Sequence, residues 1–300
     1  MGYIYKLAGE LLELSEAELN SFLRSQGIDE ICEREGRLAF TEAEPSQLRR
    51  LGLVHEVCRE VDIDELRVSG KYAVRAENLS DDSFDSKSAE KRIGNKLSRL
   101  SNQVDLENPD TVVKIYNNGK NMAYGVQIDD IPRGKFEQRS NEERPYSSPV
   151  SLDPVLARVL VNLSEASFGE YLLDPFCGTG GILIEAGLCG IGVQGIDIQK
   201  DMVLGTRRNL EEYGVISHQI IEGDINESLD RFDETNVIVT DLPYGKASRS
   251  ENRPIEKFLE LIDDFEGKIV FMYNEPRLDE FRPDFELEIH RSLTRYIYRV

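Results

Sequence analysis

Four consecutive residues, Asp241-Leu242-Pro243-Tyr244, combine a carboxylate, a backbone carbonyl fixed by the following proline, and an aromatic face. Together they can cradle a planar base that carries an exocyclic amine. Asp241 and the Leu242 carbonyl can accept the two amino hydrogens, drawing the nitrogen toward a pyramidal, nucleophilic geometry. Tyr244 can stack on the ring, an interaction worth roughly 1–3 kcal/mol per base. A free aspartate titrates near ~3.9, so the carboxylate is ready to accept and could take the proton released as the amine is alkylated. The plainer reading makes Asp241 a helix cap and Tyr244 a core side chain.

Three more acids fall at matching places upstream. Asp174-Pro175-Phe176-Cys177-Gly178-Thr179-Gly180-Gly181 follows the apolar run Tyr171-Leu172-Leu173 and leads into Ile182-Leu183-Ile184-Glu185-Ala186. That is a buried strand, a glycine-rich turn and a helix start, where bare backbone lets a ligand approach the free N–H groups. Gly195-Ile196-Asp197-Ile198 then places Asp197 twenty-three residues beyond Asp174, where an acid can accept from both hydroxyls of a ribose. Gly223-Asp224 ends the next apolar run and could accept from an adenine amino group. Any one of these is readily a solvated loop acid. Three at successive strand ends beside one crevice point to a nucleoside-type cofactor. Cys177 reads as a small turn residue rather than a nucleophile, because no histidine lies near it in sequence.

These residues need a scaffold of alternating strands and helices. Apolar runs near 170–174, 193–197, 219–223, 236–241 and 267–273 alternate with helical patterns near 181–189, 200–213 and 255–264. A helix over 153–163 precedes them, and 285–291 with 293–300 reads as a closing hairpin. The expected fold is α/β: a mostly parallel, Rossmann-like sheet with a terminal antiparallel hairpin. Its ligands belong at the carboxyl ends of the first strands. Upstream, Tyr3–Leu7 reads as a strand. Ser15 with Glu18 reads as the capping box of a helix running to Ser25. Strands are expected near 28–33 and 37–40, and a helix over 44–51. Asn117-Asn118-Gly119 between the runs 111–116 and 122–128 is a hairpin signal.

At 300 residues there is room for two domains. The net charge of −20 excludes a generic basic nucleic-acid binder. It is unevenly spread: residues 1–65 carry a net of −8, 66–149 of +1 and 150–300 of −13. The positive island contains a helical pattern over 87–100, with Ile93, Leu97 and Leu100 on one stripe and Lys87, Lys91, Arg92, Lys96 and Arg99 opposite. Such a face either grips a phosphate backbone or is simply solvated. The four cysteines lack C-x-x-C spacing and the three histidines are scattered, so no metal site and no disulfide framework is expected. No apolar run approaches the ~18 residues of a membrane helix, and the start lacks a signal-peptide pattern. A cytoplasmic protein is expected.

As a set, the glycine-rich turn, Gly-Ile-Asp, Gly-Asp and Asp-Leu-Pro-Tyr resemble the motifs of class I S-adenosylmethionine-dependent methyltransferases that act on amines. Val104-Asp105-Leu106, Gly134-Lys135-Phe136, Arg144-Pro145-Tyr146 and Ser151-Leu152-Asp153-Pro154-Val155-Leu156-Ala157-Arg158 narrow the likeness to the archaeal tRNA guanine N2-methyltransferases. The resemblance implies a ferredoxin-like region over 1–65, a THUMP domain over 66–140, a linker over 141–152 and a methyltransferase domain over 153–300. It implies S-adenosylmethionine held by Asp174, Phe176, Cys177, Gly178, Thr179, Gly180, Asp197, Ile198 and Asp224. Asp241, Leu242, Pro243 and Tyr244 would perform the transfer to guanosine ten of tRNA. Lys87, Lys91, Arg92, Lys96 and Arg99, with Arg139 and Arg144 of the linker, would hold the tRNA, and the chain would act as a monomer. The family's tetrad is commonly Asp-Pro-Pro-Tyr. Leu242 replaces the first proline here, but its carbonyl stays available. Ser147-Ser148-Pro149-Val150 also departs from the family pattern. Competing readings are an adenine or glutamine methyltransferase of the same fold, which usually carries asparagine where Asp241 stands, the same chemistry on another tRNA or rRNA guanosine, and a non-catalytic RNA-binding protein with a vestigial methyltransferase fold.

Overall fold

In a computed structural model of the chain, which describes residues 2–44, 46–98, 103–148, 151–225, 229–232, 234–243, 253–290 and 293–300, the Asn-Gly dipeptide turns one antiparallel strand into the next. Gly119 has φ +86°, a conformation that glycine adopts without strain, and Asn117 pairs with Met122 across the hairpin. The chain divides into two units, Met1–Pro132 and Arg133–Val300.

The first unit holds β1 (Tyr3–Leu7), α1 (Leu12–Arg24), β2 (Glu33–Glu35), β3 (Leu38–Thr41), β4 (Val54–Glu60), β5 (Lys71–Asn78), α2 (Ser86–Ser98), β6 (Gln103–Val104), β7 (Thr111–Asn117) and β8 (Met122–Asp130). All eight strands join one sheet, in the order β2-β3-β1-β4-β8-β7-β5-β6. Residues before and after the sequence-drawn boundary at 65 therefore share it. From α1, Leu19, Phe22 and Leu23 bury against Tyr5, Leu7, Val54 and Val57. From α2, Ala89, Ile93 and Leu97, each four residues from the next, bury against Tyr72, Val74, Val113 and Ile115.

Several local expectations fail for identifiable reasons. Ser15 is not a cap: α1 starts at Leu12, and the Ser15 hydroxyl donates back to the Leu11 carbonyl at 2.7 Å. Glu18, its expected partner, turns inward and accepts from the Gly52 and Leu53 backbone N–H groups at 2.7 and 2.8 Å. The strand near 28–33 is reduced to Glu33–Glu35, and the helix over 44–51 to a single 3₁₀ turn at Leu48–Arg50. Neither β4 nor β5 is singled out by periodicity.

The second unit contains α3 (Gly134–Glu137), α4 (Pro154–Leu163), β9 (Tyr171–Asp174), α5 (Gly181–Gly187), β10 (Gly192–Asp197), α6 (Lys200–Glu212), β11 (His218–Glu222), β12 (Val237–Asp241), α7 (Arg253–Asp264), β13 (Lys268–Tyr273), β14 (Phe285–His290) and β15 (Leu293–Arg299). Its sheet runs β11-β10-β9-β12-β13-β15-β14. The first five strands in that order are parallel, and β15 and β14 close the edge as an antiparallel hairpin. Asp153 caps α4 by accepting from the Val155 and Leu156 N–H groups, with Pro154 at the first helical position. The chain lays down β9, β10 and β11 outward, then returns to place β12 on the other side of β9. That reversal opens a crevice at the carboxyl ends of β9 and β12. The unit begins at Arg133, so the stretch expected as a linker packs within it: the Tyr146 N–H donates to Asn209 Oδ1 at 2.9 Å.

Candidate active site

The glycine-rich turn sits at the mouth of this crevice. Gly178 and Gly180 have φ +51° and +80°. A Cβ on Gly180 would lie 2.8 Å from Thr206 Cγ2, whereas one on Gly178 would meet nothing within 4 Å. One glycine is therefore needed for packing behind the turn and the other borders open space. From behind, Thr206 Oγ1 donates to the Gly178 carbonyl at 2.6 Å and Asn209 Nδ2 donates to the Thr179 carbonyl at 2.9 Å. Thr179 Oγ1 shares a hydrogen bond with Ser151 Oγ at 3.2 Å. Thr206 and Asn209 are fully buried on α6. Sequence reading missed them, although two polar side chains three apart on a buried helical stripe were a usable signal.

Asp197 ends β10 beside the turn. Its Oδ2 accepts from the Gly178 N–H at 2.9 Å and its Oδ1 from the Gln199 N–H at 2.8 Å. A carboxylate offers about four acceptor sites, so it retains capacity for hydroxyl donors. Burial raises its pKa, opposed by the two backbone bonds. Next to it, Ile198 is 71% exposed, an apolar side chain at the crevice rim. Asp224 is salt-bridged to Lys257 of α7 at 2.5 Å, so the carboxylate expected to meet an adenine amine already has a cationic partner.

Asp174 does not present its carboxylate to open space. It is 2% exposed, and its Oδ1 accepts from Thr240 Oγ1 at 2.6 Å and from the Phe176 N–H at 3.1 Å, tying the end of β9 to that of β12. Burial pushes its pKa up to about 7. The folded chain thus holds a proton there that the unfolded chain gives up from about pH 4. Stability from this site is present below about pH 4, falls as pH rises toward about 7 and is flat above. Asp174→Asn should flatten that slope, read as the difference between urea-unfolding curves of the two proteins from pH 4 to 8. Cys177 is buried and its thiol is pushed well above the ordinary range by burial, which suits packing and not nucleophilic attack. Phe176 packs edge-on against Phe258, with ring centres 6.1 Å apart.

Asp241 is the last residue of β12, at the same crevice. Its side chain is 22% exposed and its carboxylate pairs with the guanidinium of Arg295 on β15, a partner sequence reading missed. Leu242 is fully buried among Ile238, Phe258 and Phe271, and its N–H donates to the Met272 carbonyl at 2.9 Å. An apolar core slot thus accounts for leucine where proline is usual. Pro243 follows, half-buried. Tyr244 lies outside the described residues.

The cations expected to meet RNA divide sharply. Lys87, Lys91 and Arg92 are exposed on α2. Glu90, the acid nearest to Lys91 and Arg92 in sequence, is turned inward and accepts from the Ala76 N–H at 2.9 Å. Lys96 is engaged locally, donating to the Ile63 carbonyl at 2.8 Å and pairing with Asp64, and Arg99 lies outside the described residues. Arg139 and Arg144 are corrections. Arg139 pairs with the buried Glu185 at 2.6 Å, and Arg144 is 5% exposed with its guanidinium against Gly181. Arg139, through Glu185, and Arg144, against Gly181 and with its Nε donating to the Arg139 carbonyl, clamp the 133–148 segment to α5. The buried Glu185 carboxylate takes its counter-charge from Arg139 and Arg158.

Open backbone at Gly178, the half-buried Asp197 with spare acceptor capacity, the exposed Ile198 and, across β9, the Asp241 carboxylate could offer a ligand hydrogen-bond acceptors and an apolar edge at these strand ends. Among the described residues no group of three or more His, Cys, Asp or Glu is placed to hold a metal ion, and no helix is long and apolar enough to cross a membrane. Residues 141–268 match a family model described as an RMKL-like methyltransferase domain. The chain is similar to the tRNA (guanine(10)-N2)-dimethyltransferase of Pyrococcus abyssi, with 33% identity over 99% of this chain and 98% of that protein. It is 35% identical to the protein of the same name from Methanothermobacter thermautotrophicus, over 97% and 96% of the two chains. Among solved structures, TrmN from Thermus thermophilus shares the fold, with a TM-score of 0.56 and 21% identity over 100% of this chain and 99% of that one.

Proposed function

The chain belongs to the tRNA (guanine(10)-N2)-dimethyltransferase family, and from that premise we propose that it transfers methyl groups from S-adenosylmethionine to the exocyclic N2 of guanosine ten in tRNA. The observation that carries this reading is the convergence of the Gly178 turn, Asp197 and Asp241 on one crevice at the strand-order reversal. Its test is transfer of tritiated methyl to tRNA, followed by mapping of the modified nucleoside. Label in N2-methylguanosine at position ten is expected. Unlabelled tRNA would return the chain to a non-catalytic RNA-binding role.

The residues present suit the cofactor. The open side of Gly178 admits its methionine portion, the spare lone pairs of Asp197 suit its ribose hydroxyls, and Ile198 offers an apolar edge for the adenine. When bound, it supplies an electrophilic methyl group on a sulfonium centre. The protein's own work is positioning. The guanine must leave its stack, at about a few kcal/mol. Asp241 and the Leu242 carbonyl then accept the hydrogens of its amine, fixing the nitrogen lone pair in one direction, and Tyr244 stacks on the ring. Asp241 takes the proton that the amine loses as the new bond forms.

The first unit is read as a ferredoxin-like region and a THUMP domain that bind tRNA, in a monomeric cytoplasmic enzyme. Lys87, Lys91 and Arg92 are its exposed basic stripe. Reversing these three to glutamate should weaken tRNA binding about tenfold or more at low salt and reduce the slope of log affinity against log salt by about two to three. Filter binding across a salt series reads both. An unchanged slope would make α2 a solvated face.

A further inference from the structure

Arg295 is a buried guanidinium on β15, a strand with buried side chains on both faces. Arg295 and Ile297, at 3% and 0% exposure, share one face of β15, and Tyr298, also at 0%, lies on the other. The register explains its reach. Asp241 lies opposite Met272 across β12 and β13, and Met272 lies opposite Ile297 across β13 and β15. Directly opposed residues share a sheet face, as do residues two apart on one strand. Asp241 and Arg295 therefore rise from the same face. Because β13 ends at Tyr273, opposite Tyr296, Arg295 stands just past that end. Its Nη2 crosses the gap to Asp241 Oδ1.

We propose that Arg295 is a positioning residue for methyl transfer, fixing the Asp241 carboxylate in the orientation that accepts the guanine amine. The inference rests on the function proposed above. The Arg295 guanidinium is ion-paired with one carboxylate oxygen, and that attraction favours one orientation of the Asp241 side chain. Oδ1 is sealed from solvent while the side chain as a whole keeps 22% exposure, so the open part of the carboxylate is the part away from the arginine. Burial pulls the Arg295 pKa down to about 10, which leaves it cationic at neutral pH. Folding alone does not call for this pair, since apolar packing usually serves a buried position at least as well as an ion pair. Its place beside the reacting group gives it a purpose.

The experiment compares single-turnover transfer to tRNA by wild type, Arg295→Met, Arg295→Lys, Asp241→Asn and the Asp241→Asn/Arg295→Met double variant. S-adenosylhomocysteine binding and thermal unfolding are measured alongside. Arg295→Met should lower kcat about 30-fold with KM for tRNA and S-adenosylhomocysteine affinity within about twofold of wild type. Arg295→Lys should recover a large part of the loss. In the Asp241→Asn background the methionine substitution should cost no more than about twofold further, because its partner's charge is already gone. An Arg295→Met enzyme with kcat within threefold of wild type overturns the inference and leaves the function standing. A loss as large in the Asp241→Asn background as in wild type also overturns it, by showing that Arg295 does not act through Asp241. Absence of transfer by wild type overturns the function and the inference together.

Discussion

Asp241→Ala abolishes methyl transfer to tRNA, lowering kcat by about 10³-fold or more, while calorimetric affinity for S-adenosylhomocysteine stays within about threefold. The two readouts separate because the cofactor contacts reside elsewhere, on the Gly178 turn and Asp197. Alanine removes the acceptor of the amine hydrogens and the proton acceptor in one step, so the nucleophile is neither aimed nor relieved of its proton. It also deprives a guanidinium that is 3% exposed of its carboxylate. Breaking a buried pair in this way destabilises a fold by on the order of 3 kcal/mol. Asp241→Asn is the companion variant that keeps an oxygen for Arg295 and still lacks the anion. It should unfold at a temperature between those of the alanine variant and wild type and retain about 1% of wild-type kcat or less. Near-normal turnover in either variant, with binding intact, would remove Asp241 from the reaction and with it the proposed mechanism.

Most of the second unit was legible in sequence because its signals are local. Apolar runs such as Tyr171-Leu172-Leu173 mark buried parallel strands, and the glycine turn and the acids at 197, 224 and 241 punctuate their ends. The hairpin at Asn117-Asn118-Gly119 was legible for the same reason: the turn chemistry lies within the dipeptide. Partnerships that cross the sheet were not. Thr240 and Asp174 are sixty-six residues apart in sequence, and nothing local to either says that β12 returns to lie beside β9. The Arg295–Asp241 pair needs the further fact that the terminal hairpin folds back against β13.

Charged residues were misjudged in both directions for a related reason. A cation in a polar, proline-containing stretch reads as solvated, yet Arg139 is drawn inward to share with Arg158 the counter-charge of Glu185, on a helix otherwise buried as Ile182, Leu183, Ile184 and Ala186. Arg144 is buried against Gly181 with its Nε on the Arg139 carbonyl. Conversely, Ser15 and Glu18 have the spacing of a capping box, but the free N–H groups of Gly52 and Leu53 claim the carboxylate. A buried backbone donor is costly to leave unpaired, whereas a helix N-terminus in water has solvent to bond. The tertiary demand wins. Of the basic stripe on α2, Lys87, Lys91 and Arg92 are exposed, and Glu90 among them is held by the Ala76 N–H.

Asp197→Ala lowers affinity for S-adenosylhomocysteine about 100-fold, equivalent to about 2.7 kcal/mol. Two effects combine in that figure. Hydrogen bonds from ribose hydroxyls to a charged acceptor contribute about 1.5–3 kcal/mol, and Asp197 Oδ2 also holds the Gly178 N–H, so the turn itself loosens when the carboxylate is removed. A cofactor product lacking the ribose 2′-hydroxyl separates them. Wild type should bind it about tenfold or more weakly than S-adenosylhomocysteine, and the alanine variant should bind the two alike, since the group that distinguished them is gone. Asp197→Asn, which keeps one oxygen acceptor, should fall between. Were the alanine variant to lose affinity yet still favour the hydroxylated ligand by the wild-type factor, Asp197 would be a brace for the glycine turn alone, and the ribose would have to be read by other residues. Were it to bind both ligands as tightly as wild type does, the crevice at Gly178 would not be where the cofactor lies.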